Sequence, residues 1–95
     1  MKKEQGGLID YNGSIGATDT VTVSFSYLVP FTSLSYTLIF TSNRTNCYSY
    51  EADNSTTGYY HNTRTLTGAK VGFRNVNISE SSSGNKRASY YVCGY

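Results

Sequence analysis

TVTVSFSY, residues 20–27, is the stretch from which the fold class is most readily inferred, because polar and apolar side chains alternate along its whole length. Val21, Val23, Phe25 and Tyr27 share one face, and threonines and serines fill the other. A period of two residues is typical of an antiparallel strand that is buried on one side only. The stretch therefore predicts a strand that covers a core with one face and meets water with the other.

Four further stretches repeat this alternation with variations. SYTLIFT (35–41) is partly apolar on both faces, which predicts either a central strand or a subunit contact. KVGFRNVNI (70–78) changes phase midway, and one extra residue near Arg74 and Asn75 would reconcile its two halves as a β-bulge. A final strand is predicted in ASYYVCGY (88–95), and a weaker first strand is predicted in EQGGLIDY at the start of the chain.

No window has a convincing helical period, so the sequence predicts an all-β fold: a small antiparallel β-sandwich of six to seven strands. The 95 residues are expected to form a single domain, 1–95. Only 38% of them are hydrophobic, against about 45–50% in typical globular domains. A core this thin favours association with further copies of the chain.

Composition argues against several classes of function. Charged residues make up 15% of the chain and the net charge is +2, with no clustered basic face of the kind that binds nucleic acid. No stretch is long and apolar enough for membrane insertion. The opening MKKEQGG lacks the apolar segment of a signal peptide, so the two cysteines are expected to remain free thiols, although one disulfide is possible.

Neither a cofactor nor a metal is expected. The glycines do not form a phosphate-binding motif between a strand and a helix. Cys47, His61 and Cys93 lack the spacing of zinc ligands.

Four stretches occur in an order that resembles a known family. They are KEQGGLIDYNG (3–13), TVTVSFSYLVPFTSLSYTLIFT (20–41), TRTLTGAKVGF (63–73) and YYVCGY (90–95). Together they resemble the C-terminal tip domain of bacteriophage and prophage tail fibres, whose β-sandwich is related in shape to H-type lectins. The chain departs from the family in having no tryptophan in its last strand, and residues 43–64 match no part of the family pattern.

The resemblance implies a homotrimer at the far end of a fibre, so the chain would be the C-terminal fragment of a longer protein. It also implies a place in the virion tail fibre, after synthesis in the bacterial host cytoplasm. The expected function is non-enzymatic receptor binding during adsorption, with a bacterial surface glycan (lipopolysaccharide, capsule or wall polymer) as the partner. The alternatives are a structural domain that only terminates the trimer and a small glycan depolymerase module.

Receptor contacts are expected in the segment that the family pattern does not cover. Tyrosine offers a large rigid ring for the C–H faces of sugars, and asparagine, aspartate and arginine pair with sugar hydroxyls. The predicted receptor-binding residues are Arg44, Tyr48, Tyr50, Asp53, Asn54, Tyr59, Tyr60, His61 and Arg64. Packing between neighbouring strands is the alternative role for about half of the tyrosines. A rival site is the loop 79–87, where Lys86 and Arg87 would meet an anionic ligand.

No catalytic residue is predicted. Glu51 and Asp53 would share one face of a strand, as paired carboxylates in glycosidases require. The sequence EADNST (51–56) is more typical of a strand that runs into a turn. His61, the sole histidine, has no nucleophile signature around it.

Overall fold

A computed structural model describes residues 1–43, 47–52 and 64–95, which form six strands and no helix. The strands are β1 (Lys3–Asn12), β2 (Thr20–Ser26), β3 (Thr37–Ser42), β4 (Cys47–Glu51), β5 (Gly68–Asn75) and β6 (Asn85–Gly94). All of the strand pairs are antiparallel. The predicted all-β antiparallel class is therefore confirmed.

The strands form two sheets of three. The first sheet has the order β1-β6-β3 and the second has the order β2-β5-β4. The final strand β6 is the centre of the first sheet, which explains why the chain carries an aromatic, alternating stretch there. Of the two interpretations of 35–41, the central strand is wrong, because β3 pairs with β6 alone among the described strands.

Alternation in β2 and β5 gives the second sheet one apolar face. Val23 lies opposite Val71 and Phe25 lies opposite Ala69, so the apolar residues of both strands point to the same side. This confirms the strand predicted from residues 20–27.

Both sheets contribute to the same core clusters. One cluster joins Ile9 and Ala88 of the first sheet to Val71 and Phe73 of the second. The ring of Phe25 bridges the sheets further, with its centroid 4.8 Å from that of Tyr90 and 5.8 Å from that of Phe40. The core-facing side of each sheet is called its inner face below, and the opposite side is called its outer face.

The β5 strand contains no bulge, so that prediction is wrong. Its register with β2 and β4 is continuous up to Asn75, where the strand ends. Asn75 is buried, and its Nδ2 donates to the carbonyl oxygens of Ile15 (3.1 Å) and Glu80 (2.9 Å). The phase change after Asn75 therefore marks the beginning of a loop, in which Val76 and Ile78 are exposed.

The two ends of β6 are fixed in different ways. At its start, the buried Lys86 donates from Nζ to the carbonyl oxygens of Gly13, Ser82 (2.8 Å) and Gly84 (2.9 Å). After its end, the carbonyl oxygen of Tyr95 accepts a hydrogen bond from the Thr32 hydroxyl at 2.8 Å.

Candidate functional site

The outer face of the second sheet carries an aromatic and basic surface. Tyr48 lies opposite Arg74 in the register, and Tyr50 lies opposite Gly72. Lys70 follows on the same face of β5, two residues from Gly72. These five residues are called the platform below. They share one face because the alternate residues Val71 and Phe73 are buried in the core on the other side of the strand.

The ring of Tyr50 lies over Gly72. A Cβ atom placed on Gly72 would be only 2.6 Å from Cζ of that ring, so the ring occupies the space that a side chain would need. The neighbouring ring of Tyr48 has its centroid 5.8 Å away, at an angle of 46°. Glycine at this position lets one tyrosine ring lie close to the sheet.

Lys70 and Arg74 are the cations of the platform, and the side chain of neither forms an ion pair or hydrogen bond with any described residue. The other lysines and arginines within 1–43, 47–52 and 64–95 all have polar partners. Those pairs are Lys2 with Glu4, Lys3 with the Pro30 carbonyl, Arg64 with Glu51, Lys86 with loop carbonyls and Arg87 with Asp10. The platform therefore holds the two described cations that remain available to a ligand.

A groove of about 190 Å³ adjoins the platform where β2 ends and β5 begins. Its lining is mixed: Phe25, Gly68 and Ala69 contribute apolar surface, and polar groups come from Ser24, Ser26, Thr65, Thr67 and Lys70. Such a lining offers both donors and acceptors to a polar ligand.

Arg64 lies in the interior, away from the platform. Its Nε and Nη2 donate to the two carboxylate oxygens of Glu51 at 2.9 and 2.6 Å, and both side chains are only 7% exposed. Its Nη1 donates to the carbonyl oxygens of Leu34 (3.0 Å) and Tyr36, and its guanidinium carbon lies 4.1 Å from the centre of the Tyr36 ring. Burial lowers the pKa of Arg64, but the hydrogen bonds and charge of Glu51 outweigh burial and raise it. These contacts tie the end of β4 to the residues that precede β5.

Three of the nine predicted receptor-binding residues lie in the described part of the chain. Tyr48 and Tyr50 are brought together on the platform, whereas Arg64 is enclosed by Glu51 and Tyr36. The remaining six lie outside the described residues: Arg44, Asp53, Asn54, Tyr59, Tyr60 and His61.

Three platform residues, Lys70, Gly72 and Arg74, are absent from the set predicted from the sequence. The alternation in KVGFR that assigns Val71 and Phe73 to the core also places these three together on the opposite face. This two-residue alternation is a sequence signal from which Lys70, Gly72 and Arg74 could have been predicted. The register that aligns them with the tyrosines of β4 has no such signal in the sequence.

The rival prediction, an anionic-ligand site at Lys86 and Arg87, is wrong because both cations already have polar partners. Lys86 is buried and hydrogen-bonded to backbone carbonyls, and Arg87 pairs with Asp10 at 2.7 Å. The hydrogen bond from Arg87 lowers the pKa of Asp10. Lys86 is therefore inaccessible to an anionic ligand, and the charge of Arg87 is already paired with Asp10.

The rest of the described chain offers no metal site and no membrane-spanning helix. No cluster of three or more histidine, cysteine or acidic side chains able to hold a metal occurs within 1–43, 47–52 and 64–95. In that part of the chain there is also no helix long and apolar enough to cross a membrane. Cys47 and Cys93 lie in different sheets and are not bridged to each other.

Comparison of the chain with family models, with curated proteins and with solved structures returns no match.

Proposed function

We propose that this chain is a non-enzymatic glycan-binding domain that forms the receptor-binding tip of a bacteriophage tail fibre. The observation that carries the proposal is the Tyr50 ring lying over Gly72 beside Tyr48. Sugar rings present C–H faces to flat aromatic surfaces, and tyrosine provides that surface at a low cost in conformational entropy. The serine and threonine side chains in the groove next to Lys70 supply partners for sugar hydroxyls.

The proposed architecture is a β-sandwich that assembles as a homotrimer. Core clusters shared by both sheets support the sandwich. An apolar patch on the outer face of the first sheet supports self-association: Leu8, Ile39 and Tyr91 are 60%, 52% and 43% exposed, and Tyr91 lies opposite Ile39 in the register. Three copies that share this patch would bury it and leave the platforms free.

Several copies of the site on one fibre tip would strengthen binding to a cell surface. A site built from two tyrosines and a shallow groove binds one sugar segment weakly. Three identical sites on one fibre tip raise the overall affinity through effective concentration, by about 10²–10⁴.

Among the alternatives, the depolymerase finds little support in the described residues. Both carboxylate oxygens of Glu51 accept hydrogen bonds from Arg64, which leaves that carboxylate badly placed to act as an acid or a base on a sugar. If the domain only terminated the trimer, the platform would have no ligand.

The test measures adsorption of the fibre to host cells and binding to a glycan array. It compares the wild-type protein with Tyr50→Ala and with the matched control Tyr95→Ala. Tyr95 is an exposed tyrosine that lies outside the platform. Tyr50→Ala is expected to lower glycan binding about tenfold or more while thermal stability changes little, because the ring packs on the surface rather than in the core. Equal binding by wild type and Tyr50→Ala would refute the platform, and release of soluble sugar ends would favour the depolymerase.

A further inference from the structure

The two unpaired cations flank the aromatic centre of the platform. Lys70 and Arg74 are four residues apart on β5, so their backbones are separated by about 13 Å along the strand. Gly72 lies midway between them and carries the Tyr50 ring above it. A ligand that stacks on this ring would therefore extend towards a positive charge at each end.

No strand position on this face carries an acidic side chain. The outer-face residues of the second sheet are Thr20, Thr22, Ser24, Ser26, Tyr48, Tyr50, Gly68, Lys70, Gly72 and Arg74. Glu51, the acidic residue of these strands, belongs to the inner phase and is paired with Arg64. The platform is therefore positive and hydroxyl-rich, and the charge on Lys70 and Arg74 is not neutralised by the described residues.

We infer that the ligand is an acidic polysaccharide rather than a neutral one. Lys70 and Arg74 bind acid groups on two different sugars, since their separation exceeds the size of one sugar ring, and an intervening sugar stacks on Tyr50. The arginine fork suits a planar carboxylate, and the lysine acts as a point charge on carboxylate, sulfate or phosphate. This inference rests on the proposed glycan-binding function and names the class of ligand for the same site.

Nucleic acid fits the platform less well. Two cations about 13 Å apart on a flat sheet do not form the clustered basic surface that phosphate backbones need. The serine and threonine side chains beside Lys70 instead offer hydroxyl groups that can pair with those of a sugar polymer.

The experiment uses a panel of oligosaccharide pairs that bear uronate, sulfate or phosphate groups. In each pair the second member is the neutral form, with the carboxylate reduced to an alcohol or the ester group removed. The wild-type chain is expected to bind the acidic member of its preferred pair about tenfold more tightly than the neutral member, and salt is expected to weaken only the acidic complex.

Variants that each remove one positive charge show which cation accounts for the preference for acidic sugars. Lys70→Gln and Arg74→Gln are each expected to lower affinity for the acidic member about threefold to tenfold and to affect the neutral member less, because glutamine keeps polar groups but carries no charge. Lys2→Gln removes the same charge from another exposed site and is expected to change neither affinity. Unfolding curves for all three variants establish that the fold is intact.

Three other outcomes would contradict the acidic-ligand inference, and one of them would also contradict the proposed function. Equal binding to acidic and neutral members, unaffected by Lys70→Gln and Arg74→Gln, would overturn the acidic-ligand inference and leave glycan binding standing. Single-stranded DNA that binds as tightly as the best acidic glycan would overturn it too, because charge alone would then explain the binding. If no member of the panel bound, both the proposed glycan-binding function and the acidic-ligand inference would be refuted.

Discussion

At the scale of single residues, two of the described arginines play opposite roles. Arg64 is enclosed by a carboxylate, two backbone carbonyls and an aromatic ring, so its charge holds neighbouring segments of the chain together. Arg74 has no such partner among the described residues and faces outwards beside Tyr48. Residue type alone does not separate these roles, because burial and the nearest acidic group decide between them.

The Glu51–Arg64 pair is expected to matter for stability. Glu51→Gln would leave the guanidinium of Arg64 buried without a counter-charge, which is expected to cost about 3 kcal/mol of unfolding free energy. Urea unfolding at fixed protein concentration measures this change. The matched control is Asp10→Asn, which breaks the exposed pair with Arg87 and is expected to have little effect. Equal losses in the two variants would show that burial of the Glu51–Arg64 pair is not the cause.

At the scale of strands, the two central strands use glycine for different purposes. Gly72 on β5 makes room for the Tyr50 ring on the outer face, whereas Gly94 on β6 makes room for Tyr36 in the interior. A Cβ on Gly94 would lie 2.6 Å from Cβ of Tyr36 and 3.1 Å from its Cα, so backbone as well as side chain would have to move. A Cβ on Gly72 would meet only the far end of a flexible side chain.

The same substitution is therefore expected to have different results in the two strands. Gly94→Ala overpacks the cluster around Tyr36 and is expected to lower the unfolding free energy by about 1–3 kcal/mol. Gly72→Ala is expected to leave thermal stability nearly unchanged and to lower glycan binding, because Tyr50 is displaced from the sheet. Calorimetry and a glycan-binding assay on both variants check this, and a Gly72→Ala protein with full glycan affinity would argue against stacking on Tyr50.

At the scale of the whole molecule, the two sheets present outer faces of different chemistry. The first sheet exposes Leu8, Ile39 and Tyr91, and the second exposes hydroxyls, tyrosines and two cations. An exposed apolar patch is typical of a protein–protein contact. In the proposed trimer, the subunit contact predicted in 35–41 would use the exposed Ile39, whereas Phe40 packs internally against Phe25.

Charged side chains introduced into the apolar patch are expected to prevent self-association. Light scattering of the wild-type chain at micromolar concentration is expected to give the mass of a trimer. The double variant Leu8→Lys/Ile39→Lys is expected to give the mass of a monomer and a lower melting temperature, since assembly stabilises the folded state by mass action. Leu28→Lys places one such charge on an exposed loop leucine and is expected to remain trimeric. A wild-type monomer would contradict the trimer.

Local alternation along the chain was sufficient to predict the class of fold and many of the residues that face the core. A period of two is a property of each strand by itself, so Val23, Phe25, Val71 and Phe73 could be assigned to one side of their strands from the sequence alone. Tyr48 and Tyr50 could be singled out for a different reason, as sugar-binding residue types in the segment that the family pattern does not cover.

Tertiary packing, in contrast, was needed to show which strands are neighbours and which polar residues remain available. The alignment of Tyr50 with Gly72, the burial of Lys86 and the enclosure of Arg64 all depend on pairings between residues far apart in the chain. Local patterns cannot specify such pairings, because the register between two strands is set by how both of them pack against a common core.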